Sequence, residues 1–498
     1  MSEAYFLGID NGGSFSKAAI FDAKGNEISV ASRKVEVLTP HKGWSERNAL
    51  KMWDDTVSAI REAIQRSGVS PVSIIGVGCT GHGNGLYLLD SDGNPLRNAI
   101  YSNDERAAGY IRQWKEQGLA QKVLPVTTQS LWAAQPNALL AWMKDHENEL
   151  YQRIASVQMA KDYIRFRLTG EIAAEVTDMS GTSLMNVVSG SYDAELLSMF
   201  GIEEAINFLP PLISSTAVAG YVTAIAARAT GLPEGIPVAG GLFDIDACAL
   251  SSGLIDSDQF SIVAGTWGNN QYISQKALID EQLFMNSCYC IPGWYLILEG
   301  SPTSAGNLEW MADRFFTEEK KSIPHFFEWM SQQVGQVQPE ESGLIFLPFI
   351  YGNHYNDRTK SVIYGMEAST AKAEILRSVF EGVVFSHHAH LERLLSFREK
   401  PQTIRLTGGA ANSDVWCGMF ADCMNIPVEI PRGSELGALG AAMAAAVSAQ
   451  YYRNLEEAML QMTAVVKRYE PDQTRHRIYM GKYHRYQQLI QSLSIISK

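Results

Sequence analysis

Residues Leu7 to Asp22, LGIDNGGSFSKAAIFD, decide how this chain is read. With Tyr5 and Phe6 they give an apolar strand (YFLGID), a polar turn (NGGS) and a returning strand (KAAIFD). Asn-Gly between apolar runs is a strong hairpin signal, because Gly and Asn tolerate positive φ at little cost. Asp10 ends the first strand beside Gly12, Gly13 and Ser14. Turns of this composition leave backbone N–H groups pointing outward, where they can cradle phosphate oxygens. A nearby carboxylate can hold the Mg²⁺ that neutralises those oxygens. An ordinary hairpin that opens a domain accounts for the same residues.

The chain has 498 residues, 46% of them hydrophobic, which at about 100–200 residues per domain predicts two to four domains. A formal charge of −13 with no lysine/arginine block argues against nucleic acid as the main partner. The opening MSEAYFLGID lacks the basic start and long apolar core of a signal peptide. The longest run of small apolar residues, Leu436 to Ala449, is too short to span a bilayer. Six scattered cysteines without a C-x-x-C disfavour a disulfide scaffold or zinc site. These features predict a soluble, cytoplasmic protein with neither nucleic acid nor membrane as partner.

Outward from the hairpin, Asn26 to Val37 continues as strand, and an amphipathic helix follows through Trp53, Val57, Ile60 and Ile64 to a stop at Gly68. The buried run IIGVGC then leads into Thr80-Gly81-His82-Gly83-Asn84-Gly85. His82 and Asn84 therefore fall at the carboxyl end of a strand, where α/β folds place their ligands. Asn103 and Asp104, in IYSNDER, suit the hydroxyls of a polyol, although a solvated turn explains them nearly as well. KDYIRFRLTGE is a helix ended by Gly170. In GIPVAGGLFDIDACALSSGLI, Asp244 falls at or just before a helix start, where the dipole favours an ionised carboxylate. A plain N-cap is the alternative; Asp246, inside the first turn, is less suited to act as a base.

Beyond Leu254 the pattern begins again. FSIVAGTWGNNQYIS gives a second hairpin around Gly265-Thr266-Trp267-Gly268, and TIRLTGGAANSDVW repeats the strand-into-Thr-Gly pattern of VGCTGHGNG. This order predicts an internally duplicated α/β chain: residues 1–254, residues 255–450, and a helical tail at 451–498 packed on the core. His387, His388 and His390 cluster on one helical segment without a nearby carboxylate or cysteine at metal-like spacing. No P-loop occurs, and no G-x-G-x-x-G joins a strand to a helix early in the chain, so a nucleotide would have to be held by the two hairpin turns.

Two phosphate hairpins with an Asp at a helix start between them resemble the FGGY family of sugar kinases. GIDNGGSFSKAAIFD looks like that family's first phosphate loop, GWSERNALKMW like its Gly-Trp-x-Glu segment, and SVIYGMEASTAKAEILRSVFE like its C-terminal signature. TGGAANSDVW and ELGALGAAMAA resemble its adenosine-binding loop and following helix. The resemblance implies a duplicated actin-like ATPase (ribonuclease H-like) fold, with two lobes and a central cleft. It implies ATP and Mg²⁺, a kinase for a primary hydroxyl of a small sugar, foremost a ketopentose such as L-xylulose or D-xylulose, and is compatible with a homodimer. Asp244 matches the catalytic base and also a sugar ligand. Gly12, Gly13, Ser14, Lys17, Gly265 and Thr266 match phosphate-binding positions, and Gly408, Gly409, Ala410 and Asn412 the adenosine border. His82, Asn84, Asn103 and Asp104 are the sugar candidates, and Asp10 and Asp244 would hold Mg²⁺ partly through water. Leu139, Ser102 and Asn84 depart from residues common in the family, which leaves ribulose, glycerol, erythritol, gluconate or keto-gulonate as alternative substrates. An actin-like ATPase or a sugar-sensing regulator without kinase activity is the reading of another class.

Overall fold

The computed structural model describes residues 4–281, 283–353 and 359–496. Two compact units form. One contains the chain through Ile255 together with Ile273–Ile297 and Gly433–Ala464; the other contains Asp256–Tyr272, Leu298–Arg432 and the chain from Val465 onward.

In the first unit, Phe6, Leu7 and Ile9 are fully buried, which makes Tyr5–Asn11 (β1) a central strand. It pairs antiparallel with Phe15–Asp22 (β2), which in turn pairs with Glu27–Lys34 (β3). The helix Ala49–Ser67 (α1) buries Met52, Trp53 and Ile60; Asn48 caps its start through the Lys51 N–H, and Gly68 ends it at φ 65°. On its other side β1 runs parallel to Ile74–Gly81 (β4), so Asp10 lies opposite Lys17 on one neighbour and Thr80 on the other. Ala160–Thr169 (α2) ends at the left-handed Gly170, as its sequence predicts. Val218–Tyr221 (β5), Pro237–Ala239 (β6) and Leu242–Phe243 (β7) complete the sheet in the order β5–β6–β4–β1–β2–β3, with β7 beside β4. Asp244–Ser251 (α3) follows directly.

The hairpin forms where expected, for a different reason. Neither Gly12 nor Gly13 adopts positive φ. A Cβ on either would meet nothing closer than 3.4 Å, so the turn glycines keep space open rather than supplying a left-handed bend.

The second unit repeats the plan. Gln259–Ala264 (β8) pairs antiparallel with Gly268–Ser274 (β9) and parallel with Thr403–Thr407 (β10), which runs parallel to Val428–Pro431 (β11). Gly306–Phe315 (α4) and the long Lys372–Leu394 (α5) belong to the same unit. Each unit thus opens on a hairpin whose first strand is flanked by a parallel neighbour.

The chain then returns to the first unit as Leu436–Ser448 (α6) and Leu455–Met462 (α7). The Gly-Ala composition of α6 now has a physical cause. A Cβ on Gly8 of β1 or Gly78 of β4 would overlap the carbonyls of Ala438 and Ala441, so helix and strands touch backbone to backbone. The stretch after Tyr451 is not helical throughout. Val465–Tyr469 (β12) pairs antiparallel with β11 before Gln473–Ile496 (α8), because Val465 and Val466 meet an open strand edge where β-branched residues fit well. Among the described residues, no helix is long and apolar enough to cross a membrane.

Candidate active site

Asp10 stands next to the end of β1, still paired with Lys17 of β2 on one side and Thr80 of β4 on the other. Its Oδ1 is buried and accepts no hydrogen bond, while Oδ2 lies 2.8 Å from where a Cβ on Gly437 would stand, at the start of α6. Burial pushes the Asp10 carboxyl up to about 6; the Lys17 ammonium acts in the opposite direction and Glu435 reinforces the rise. Lys17 itself is not free: its Nζ donates to Glu435 Oε2 at 2.7 Å. Tyr101 fixes the loop between them by donating its hydroxyl to the Gly13 carbonyl at 2.6 Å. Gly13 and Ser14 stay exposed at the tip.

Asp244 is the first residue of α3, as its sequence suggests. Burial raises its carboxyl well above the ordinary range, the nearby charges of Asp10 and Asp178 add to that, and the backbone N–H groups of Ile245 and Asp244 itself partly offset it. Asp246 is fully buried inside the first turn of α3, and its Oδ1 accepts the Cys290 N–H at 3.1 Å. Asp10 and Asp244 therefore form a pair of mutually repelling carboxylates, one of which keeps an oxygen without a hydrogen-bond donor.

The sugar candidates divide. His82 is buried between Tyr87 and Tyr101; its Nε2 meets the Tyr87 hydroxyl at 3.0 Å and its Nδ1 the Gly83 carbonyl at 3.3 Å. Burial and the Arg47 guanidinium lower its pKa to about 3, so the ring is neutral. Asn84 sits at φ 62°, a strained conformation for which Asn is among the better residues, and its buried Oδ1 has no donor. Asn103 is exposed. Asp104 is engaged elsewhere. Its Oδ1 accepts the Arg106 backbone and Nε protons at 2.8 Å each, and its Oδ2 accepts Ser45 N–H at 2.6 Å and Arg106 Nη2 at 3.0 Å. With both oxygens committed, Asp104 holds its own loop and is withdrawn from the sugar set.

In the second unit, Thr266 and Trp267 are exposed at the hairpin tip. The turn is closed by the Gly265 N–H donating to the Trp267 carbonyl at 3.2 Å, and Gly306 of α4 lies behind Thr266, where a Cβ would come within 2.9 Å of its carbonyl oxygen. Gly408 adopts φ 83°, and a Cβ there would stand 2.7 Å from the Ala264 carbonyl; only glycine lets this loop close on the hairpin. Gly409 and Asn412 line a pocket of about 720 Å³ with Phe326, Phe327, Phe380 and Trp416, whereas Ala410 is buried beside it. That pocket has the size and aromatic lining of a site for a flat ring system. Phe326 and Phe327 escaped sequence reading, since an aromatic pair on a helix looks like core. Glu435 and Tyr101 also escaped it, because only the fold brings them to the first loop.

Residues 5–251 match the N-terminal domain, and residues 260–449 the C-terminal domain, of the FGGY family of carbohydrate kinases. The chain belongs to that family. Among its relatives, the L-xylulose/3-keto-L-gulonate kinase of Escherichia coli (strain K12) is 40% identical, over 98% of this chain and 97% of that one. A probable L-xylulose kinase of Pasteurella multocida (strain Pm70) is 39% identical over 98% and 99%. The xylulose kinase of Rhodospirillum rubrum superimposes with a TM-score of 0.89 at 25% identity, covering 99% of each chain. The actin-like ATPase fold is thereby established, and this FGGY kinase is a carbohydrate kinase that takes ATP as phosphoryl donor.

Proposed function

We propose that the kinase transfers the γ-phosphoryl group of ATP to a primary hydroxyl of a ketopentose, with L-xylulose the preferred acceptor. What carries this reading is full-length similarity to L-xylulose kinases at about 40% identity, joined to a helix-start carboxylate beside a hairpin carboxylate in the first unit.

Asp244 accepts the hydroxyl proton as the sugar oxygen attacks phosphorus. A base works best with a pKa near the operating pH, and burial beside Asp10 moves Asp244 upward in that direction. Backbone N–H groups around Gly12, Gly13 and Ser14, and around Gly265 and Thr266, receive the phosphates. Lys17 adds charge once it exchanges Glu435 for a phosphate oxygen. Gly408, Gly409, Ala410 and Asn412 border the adenosine. His82, Asn84, Asn103 and Asp244 address the sugar.

Two like-charged carboxylates, one with a buried oxygen that has no donor, suit a divalent cation. Asp10 and Asp244 would hold Mg²⁺ there, partly through water, and the ion neutralises phosphate oxygens when bound. Most of the acceleration comes from positioning and charge neutralisation, because phosphoryl transfer has a loose transition state.

The test is a coupled ADP-release assay over L- and D-xylulose, both ribuloses, glycerol, erythritol, gluconate and 3-keto-L-gulonate. We expect the largest kcat/KM for L-xylulose. Preference for a polyol or an acid would refute the ketopentose assignment, and ADP release no faster than with water would remove kinase activity on the whole set.

A further inference from the structure

We propose that Thr177 is a positioning residue for Asp244, acting through the Phe243 backbone in a relay polarised by Glu175. The inference rests on the reading of Asp244 as the base.

Thr177 is fully buried in the short helix Val176–Ser180. Its hydroxyl donates to Glu175 Oε2 at 2.7 Å and accepts the Phe243 N–H at 2.9 Å, a contact spanning 66 residues. Glu175 is itself immobilised. Its Oε1 accepts the Thr177 N–H at 3.0 Å and the Ser215 hydroxyl at 2.7 Å, and Lys161 Nζ stands 3.4 Å from Oε2. A backbone N–H can only donate. The Thr177 oxygen must therefore accept from Phe243, which leaves its own proton for Glu175 and fixes the direction of both bonds.

Phe243 is gripped a second time through its ring. A Cβ on Gly83 would overlap that ring, and one on Gly181 would come within 3.3 Å of it. Backbone and side chain of Phe243 are thus both held, and Asp244, the next residue, leaves from a fixed point. Gly83 lies between His82 and Asn84, so the same clamp ties the base to the loop proposed for the sugar. None of the groups in the relay need touch substrate.

Thr177→Val keeps the volume and deletes both bonds. We expect kcat to fall about 10- to 100-fold, the cost of a misplaced reacting group, with KM for ATP within about twofold of wild type. Thr177→Ser, which restores the hydroxyl, should recover most of kcat. A variant that melts earlier yet keeps wild-type kcat overturns the proposal, since Thr177 would then serve stability alone. Should Thr177→Val fail to fold, Ser215→Ala frees Glu175 Oε1 from one donor and should lower kcat by a smaller factor; unchanged kcat there overturns the relay equally. Asp244→Asn in the same assay separates the two readings. If it is inactive while Thr177→Val is fully active, only the relay is wrong; if it turns over normally, the base assignment fails and the relay with it.

Discussion

Hairpin β1–β2 places an ionisable side chain on each strand beside its turn, Asp10 and Lys17, and both are tied to other charges. Hairpin β8–β9 carries none between Ala264 and Asn269; it offers backbone, the Thr266 hydroxyl and an indole that is 55% exposed. Their supports differ in the same sense. The first loop is held by Tyr101 and by a partly buried ion pair, while the second is held from beneath by a buried neutral ring. His387 meets Asn270 Oδ1 through Nδ1 at 2.8 Å and Ser304 Oγ through Nε2 at 2.9 Å. A duplicated scaffold has kept the geometry of its hairpin twice and charged only one copy. Loss of a side chain in the first unit should therefore remove chemistry, whereas crowding in the second should weaken nucleotide binding and leave the chemical step alone.

The largest effect tests that division directly. Asp244→Asn is expected to bind ATP normally and lose about 10²–10⁴ in kcat, the usual contribution of a general base. Retained turnover would place the base elsewhere. Asp10→Asn comes next: with Asp10 acting through water, Mg²⁺ should bind about 10- to 100-fold more weakly, seen as a rightward shift of the Mg²⁺ activation curve. Gly265→Val should raise KM for ATP about tenfold, or about 1.4 kcal/mol, at nearly constant kcat, because a side chain enters space that the structure leaves open. If Asp10→Asn and Gly265→Val produce the same kinetic change, the proposed division between the units is wrong.

How much of this was legible before the fold was known follows from the range over which each signal acts. Both hairpins, the end of α1 at Gly68 and the placement of Asp244 at the start of α3 are written in adjacent residues, and punctuation by Gly and Asp reveals them. Asp104 misled because a polar loop residue looks alike whether it faces solvent or binds Ser45 and Arg106. The pairing of Lys17 with Glu435 spans 418 residues, and no local pattern marks it. Thr177 was equally silent, as its role exists only once Phe243 lies against it. The histidines of α5 show both sides of the problem. Glu392 stands four residues from His388 and 3.7 Å from its Nε2, and the fold brings Glu299 to 3.1 Å from His390, yet among the described residues no metal-binding group of three is gathered.

His387 supplies the most specific test of the contrast. Burial lowers its pKa to about 3, with the neighbouring His390 acting in the same direction, against about 6.5 in an unfolded chain. Between those values the unfolded state takes up a proton that the folded state refuses. Stability from this site is therefore complete above pH 6.5 and is lost as pH falls toward 3. His387→Gln cannot titrate. At pH 7 it should cost about 1–3 kcal/mol by leaving a buried partner unsatisfied, and its denaturation midpoint should approach that of wild type as pH falls to about 4. A gap that stays constant over that range would mean that the ring is not held neutral beneath β9, and that the second hairpin is no less dependent on charge than the first.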